Sequence, residues 1–335
     1  MEKNWKQLLL KSGLPLEYEV RESFVENGCI VWDETTYIRN DEDSIEKEFS
    51  YDVHANTSKG GYSIDFLIEC KFKVENTKWF FLPDPYNYQY DVDRLDFFHP
   101  IDHFSKGSFI MNHIPYSHLF EPIGPFCQKG IEIFGNTFLE KNIRKAINQL
   151  SYVFIERIIE CWDNQLNNEL FKNSIFLNIP IIITNADLFQ INPKTTISMI
   201  KQADSIENIS QKCNFILYHN RIGEQLRRYN IEKFNKYFQQ IEQKVVEKNF
   251  NTFTKDFIHF ANILCSNYSP RLIIIMQHTD DHKNYVELFN YISSILEPDD
   301  VTKNKIDNAM EIFSKKIDAK MDESRKKIRK NLNKK

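Results

Sequence analysis

The run Tyr62-Ser63-Ile64-Asp65-Phe66-Leu67-Ile68-Glu69-Cys70-Lys71-Phe72 most constrains what this chain can fold into. Side chains on a strand alternate between faces, so Ile64, Phe66, Ile68, Cys70 and Phe72 form one apolar face. Asp65, Leu67, Glu69 and Lys71 form the other. A charge set into a core strand is costly unless it is paired or bound to a metal ion. The run therefore predicts a core strand that carries a site.

The segment before it supplies a partner. Glu48 to Ala55 alternates cleanly, with Phe49, Tyr51, Val53 and Ala55 on one face and Glu48, Ser50, Asp52 and His54 on the other. Asn56 to Gly61 reads as a hairpin loop. Along one strand Asp65 and Glu69 stand about 13 Å apart, four residues at ~3.3 Å each. Metal–oxygen bonds are only ~2.0–2.6 Å long, so those two acids cannot ligate one ion directly. Glu69 must find its partner on the neighbouring strand. With the loop turning over Ser58 to Gly61, Asp52 sits opposite Leu67 and diagonal to Glu69, at roughly 7–8 Å between backbone positions. Asp52, Glu69 and Lys71 are the candidate catalytic set: two acids to hold a cation, and an ammonium to orient water or stabilise a phosphate oxygen. His54, on the Asp52 face, either supports that set or packs beside it.

The remaining pattern predicts an α/β protein with a mixed sheet flanked by helices. A helix is expected over about residues 15–27, stopping at Asn27-Gly28, then strands at Cys29 to Asp33 and Thr35 to Arg39. Further strands are expected at Lys78 to Leu82, Ile179 to Thr184, Asn214 to Tyr218 and Arg271 to Met276. A long amphipathic helix is expected over about 137–163, helical stretches through 230–265, and helices at 283–296 and 301–333. Residues 83–135 show little periodicity and read as an insertion or lid. These signals divide the chain into residues 1–200, the sheet domain, and 201–335, an α-rich C-terminal extension.

Composition excludes some classes. No apolar run approaches the roughly 18–20 residues that span a bilayer, and Leu8-Leu9-Leu10 is too short for a secretory core. The six cysteines follow no zinc or redox spacing, which fits reduced thiols in a cytoplasmic protein. The net charge of −4 divides into +7 over Thr302 to Lys335, from 12 basic and 5 acidic residues, and −11 over the remainder. The basic end is either a nucleic-acid contact or a solvated helix. No P-loop, GxSxG or HExxH motif is present. His99, His103, His113 and His118 read as lid or surface histidines, because Pro100 argues against a metal-binding helix. Tyr86, Tyr88, Tyr90, Phe97 and Phe98 either stack on bases or close over a core.

Asp52 followed by Ile68-Glu69-Cys70-Lys71 resembles the D…ExK signature of the PD-(D/E)xK nuclease superfamily. Glu48-Phe49-Ser50-Tyr51-Asp52-Val53 and Gly13-Leu14-Pro15-Leu16-Glu17-Tyr18-Glu19-Val20 are similar to its Mrr-like, restriction-endonuclease-like branch. The proline that names the motif is replaced by Tyr51. The resemblance covers roughly residues 13–185. It implies a restriction-endonuclease-like fold and hydrolysis of DNA phosphodiester bonds assisted by Mg2+ or Mn2+, plausible in defence against foreign DNA. It also implies a metal-site glutamate on the first helix, Glu17 or its competitor Glu22, and a site glutamine on the later helix, Gln149. The implied partners are DNA and either a second copy or a partner protein of a defence system, with no membrane. The competing expectation is a catalytically silent nuclease-like module that binds nucleic acid or protein.

Overall fold

The computed structural model describes residues 4–32, 35–40, 46–84, 96–105, 120–241, 266, 268–309, 311–312 and 315. In chain order the helices are α1 (Trp5–Lys11), α2 (Leu14–Glu26), α3 (Lys141–Asn167), α4 (Ile197–Gln202), α5 (Glu224–Gln240) and α6 (Lys283–Leu296). The early strands are β1 (Ile30–Trp32), β2 (Thr35–Asn40), β3 (Glu46–Tyr51), β4 (Val53–Lys59), β5 (Tyr62–Lys71), β6 (Lys78–Pro83) and β7 (His99–Ile101). The later ones are β8 (Phe126–Phe134), β9 (Thr137–Leu139), β10 (Phe176–Thr184), β11 (Asp187–Ile191), β12 (Ser210–Cys213), β13 (Phe215–His219) and β14 (Leu272–Gln277).

Twelve of the described strands make one mixed sheet in the order β1-β4-β5-β10-β14-β13-β8-β6-β11-β12, with β7 beside β10 and β9 beside β8. β5, β10 and β14 run parallel at its centre. Helices cover both faces. Leu16, Val20 and Phe24 of α2 and Tyr285, Leu288 and Ile292 of α6 pack against Ile64, Phe66 and Ile68. Phe24 meets Phe66 edge-on at 5.2 Å. On the opposite face Ile147, Leu150, Phe154 and Trp162 of α3 and Phe234 of α5 pack with Leu67 and Ile182. The two faces of β5 thus divide as its alternation predicts, although both are buried. Among the described residues no helix is long and apolar enough to cross a membrane.

Three expectations change. The strand expected over Glu48 to Ala55 is broken at Asp52: β3 pairs with β2 in a separate two-stranded sheet, and β4 joins the main sheet. The segment 83–135 is not wholly a lid, because β7 and β8 are strands of the main sheet and Phe97, Phe98 and Phe104 are core residues. Their alternation is too short to register as a period-2 signal. The boundary at residue 200 marks no break in the sheet either, since β13 and β14 insert between β10 and β8. Residues 201–335 are therefore not simply a helical extension. Tyr86, Tyr88, Tyr90, His113, His118, most of the helical stretch expected to residue 265 and the basic run from Arg325 onward lie outside the described residues.

His99 and His103 prove to be interior groups. His99 packs on the Phe154 ring at 4.7 Å, and burial lowers its pKa to about 3. His103 accepts from the Trp162 indole at 3.2 Å and bonds the Tyr268 hydroxyl at 2.9 Å, and burial lowers it to about 4.

Candidate functional site

Parallel strands bring their carboxyl ends together. Lys71 of β5 registers with Thr184 of β10, and Thr184 with Gln277 of β14. The Thr184 hydroxyl donates to the Lys71 carbonyl at 2.7 Å, and the His278 amide donates to the Thr184 carbonyl at 2.7 Å. Open α/β sheets form their ligand crevices outside such ends, where the strand order changes direction.

Asp52 enters this region from the bend between β3 and β4. The hairpin turns on Gly60-Gly61, both at positive φ (+59° and +84°), and pairs Lys59 with Tyr62. Two consecutive residues at positive φ make a tight two-residue connection that glycine adopts without steric cost. This register differs by two residues from one centred over Ser58 to Gly61. The ladder ends with Val53 facing Ile68, and Leu67 faces His54; Asp52 stands at the bend just beyond, where its charge acts on Glu69. A shift of two preserves the face, so His54 stays on the Asp65 and Leu67 side of the hairpin. The Asp52 carboxylate accepts the Cys70 amide at 2.6 Å, which holds it against the β5 backbone.

Glu69 is fully buried and pairs with Lys71. Its second oxygen, Oε2, is buried with no hydrogen-bond partner among the described residues. Desolvation by burial pushes the carboxyl up to about 8; Lys71 opposes that shift and Asp52 reinforces it. Burial alone would lower the Lys71 pKa, but the Glu69 and then the Asp52 charges raise it. Lys145 of α3 is a further cation whose charge acts on Glu69. Gln149, one turn later on the same helix, donates to the Ser50 carbonyl at 3.4 Å, two residues from Asp52, and its Oε1 is also buried without a partner.

The remaining candidates separate. Glu17 lies on α2, on the Cys70 side of β5; its charge acts on Cys70, and its Oε1 lies close over Gly13. Glu22 is exposed on the same helix. Glu19 of α2 makes a tertiary bond, 2.8 Å from His278 Nε2, while His278 Nδ1 lies 2.8 Å from the Tyr285 hydroxyl. His54 turns away from Asp52 and bonds Asp65 at 3.0 Å, where Arg157 also reaches Asp65 at 3.0 Å. Asp65 is thus the acid of a buried structural cluster, and those partners hold its pKa down against desolvation. Sequence reasoning missed Lys145, Glu19, His278 and Thr184. The first is a surface-type residue on a helix, and the others join the site only through strand order.

Among the described residues no three His, Cys, Asp or Glu side chains form a metal-ligand cluster. Mg2+, however, keeps several waters and commonly takes only one or two carboxylates together with substrate phosphate oxygens. The donor set suits it: two carboxylates whose charges act on one another and two buried acceptor atoms, Glu69 Oε2 and Gln149 Oε1, that lack a donor among the described residues. Fold and site together define a mixed α/β protein with a buried acidic–basic centre at the carboxyl ends of its parallel strands. Comparison with protein-family models, with curated proteins and with solved structures finds no match for this chain.

Proposed function

We propose that this protein is a metal-dependent nuclease that hydrolyses DNA phosphodiester bonds with Mg2+ or Mn2+. The observation that carries the reading is Asp52 held against β5 where its charge acts on Glu69, with Lys71 on Glu69 and one Glu69 oxygen buried with no partner among the described residues. A bound divalent ion would polarise the scissile phosphate and lower the pKa of a coordinated water. Asp52 and Glu69 would hold it, with Glu17 on α2 the further acid that the family resemblance nominates. Lys71 would neutralise charge developing on a phosphate oxygen, and Gln149 Oε1 would accept a hydrogen bond from a water near the acids. A part in defence against foreign DNA rests on that resemblance alone.

The close Lys71–Glu69 pair also suits a silent module that binds nucleic acid or a partner protein without cutting it. Plasmid cleavage separates the two. The purified chain should nick or linearise plasmid with Mg2+ or Mn2+ but not with EDTA. Glu69→Ala, Lys71→Ala and Asp52→Asn should each lower the rate at least ~100-fold, the scale of losing a preorganised charge at a reacting centre. Cleavage that survives Glu69→Ala and Lys71→Ala overturns the site. Salt-sensitive DNA binding with no cleavage under any divalent ion identifies the silent module.

A further inference from the structure

On the other side of the α3 start from Lys145 lies a pocket of about 390 Å3, a volume within the range of small-ligand sites. Tyr218 and Ile143 give it an aromatic and an apolar wall, strand residues of β6 and β8 line it from the sheet, and Lys129, Arg144 and Glu140 give it charge. Lys129, Lys141, Arg144 and Lys145 are all exposed, and none enters an ion pair among the described residues. Such a knot of unneutralised cations is conspicuous in a chain whose residues 1–301 sum to −11.

Helical geometry turns successive side chains about 100° apart, so neighbours on α3 serve different places. The Lys145 charge acts on Glu69, whereas the Arg144 charge acts on the Tyr218 phenol. Bare phosphate would be a poor match for the pocket, because Glu140 repels a dianion and the aromatic wall would go unused. An aromatic base carrying a phosphate uses every wall. Rings stack on bases irrespective of sequence, guanidinium and ammonium groups bind phosphate, and a carboxylate accepts from a sugar hydroxyl or base amine.

We propose that this pocket binds a nucleoside phosphate, with the base against Tyr218 and the phosphate between Arg144 and Lys129. The ligand is either a free nucleotide or one nucleotide of a single strand. In the second case the strand backbone would leave the pocket past the start of α3, toward Lys145. Binding here does not depend on the nuclease reading and is measured without metal.

The test uses the full chain in EDTA at low salt, with fluorescence anisotropy of a fluorescein-labelled thymidine hexanucleotide and calorimetry with each of the four nucleoside 5′-monophosphates. Arg144→Glu and Lys129→Glu, at exposed positions, should each weaken binding at least ~10-fold, as losing a charged hydrogen bond does. Tyr218→Leu should weaken it too, with circular dichroism confirming the fold. Displacement of the hexanucleotide by a mononucleotide identifies a free-nucleotide site, and a hexanucleotide that resists displacement identifies a strand site. Three results overturn the proposal: no binding of either probe, binding indifferent to both charge reversals, or inorganic phosphate competing as well as the nucleotides.

Discussion

At the scale of single residues, Glu69 couples stability to pH with a definite sign. Its carboxyl stands at about 8 in the folded chain against an ordinary 4.5. Between those values the unfolded chain has already released the proton that the folded chain retains, so stability falls as pH rises through that window. Glu69→Gln should flatten the fall, which urea titrations at pH 5, 6.5 and 8 would show. A cation held by Glu69 must compete with that proton. The rise in Tm on adding Mg2+ should therefore be larger at pH 8.5 than at pH 6.5, and absent in Glu69→Gln. A thermal shift that is the same at both pH values and in the variant places the ion elsewhere. Asp65 makes the contrasting case, an acid buried for structure. Asp65→Ala leaves the buried Arg157 guanidinium with only the half-exposed Glu160 as a carboxylate partner and should cost about 3 kcal/mol, the low end for breaking a buried pair. The double variant Asp65→Ala/Arg157→Met should recover a large part of that loss, because no uncompensated charge remains. A double-mutant cycle on urea midpoints would measure the difference.

At the scale of elements, the β4–β5 hairpin decides the geometry of the acids. Its turn rests on Gly60 and Gly61, both in the left-handed region. An added Cβ at Gly60 would make only ordinary contacts and at Gly61 none, so the cost of substitution is in the backbone alone. Gly60→Ala and Gly61→Ala should each lower stability by about 1–2 kcal/mol, and Gly60→Asn by less, because Asn tolerates left-handed backbone. Chemical denaturation would rank the three. The hairpin also shows where sequence reading succeeds and where it stops. The faces of β5 were legible because alternation is local, and the Asn56 to Gly61 turn because glycine marks it. The register was missed by two residues because four turn residues offer more than one pivot. The bend at Asp52 was illegible, because Glu48 to Ala55 alternates without interruption while the chain passes from one sheet to another. Lys145 and His278 reach the site through helix placement and strand order, and no local pattern encodes either.

At the scale of the whole molecule, the sheet is a single object whose middle comes from distant parts of the chain. β14 lies between β10 and β13, and β13 joins β14 to β8. A chain ending at residue 200 would leave the Ile181 to Thr184 edge of β10 without β14 and strip α6 from the Phe24–Phe66 face. Such a long apolar edge is a template for aggregation. Residues 1–200 expressed alone should therefore be insoluble or lack sharp amide resonances in NMR, while the full chain unfolds in one cooperative step. A soluble, well-dispersed 1–200 fragment would show that the early strands form an independent unit.

The position of β14 also has a consequence for biosynthesis. A ribosome delivers β5 and β10 long before residues 272–277 leave the exit tunnel, so during translation the nascent sheet stands open at its centre. Completion of the crevice that holds Lys71 must wait for residues 272–277, so the site cannot take its final form before they emerge.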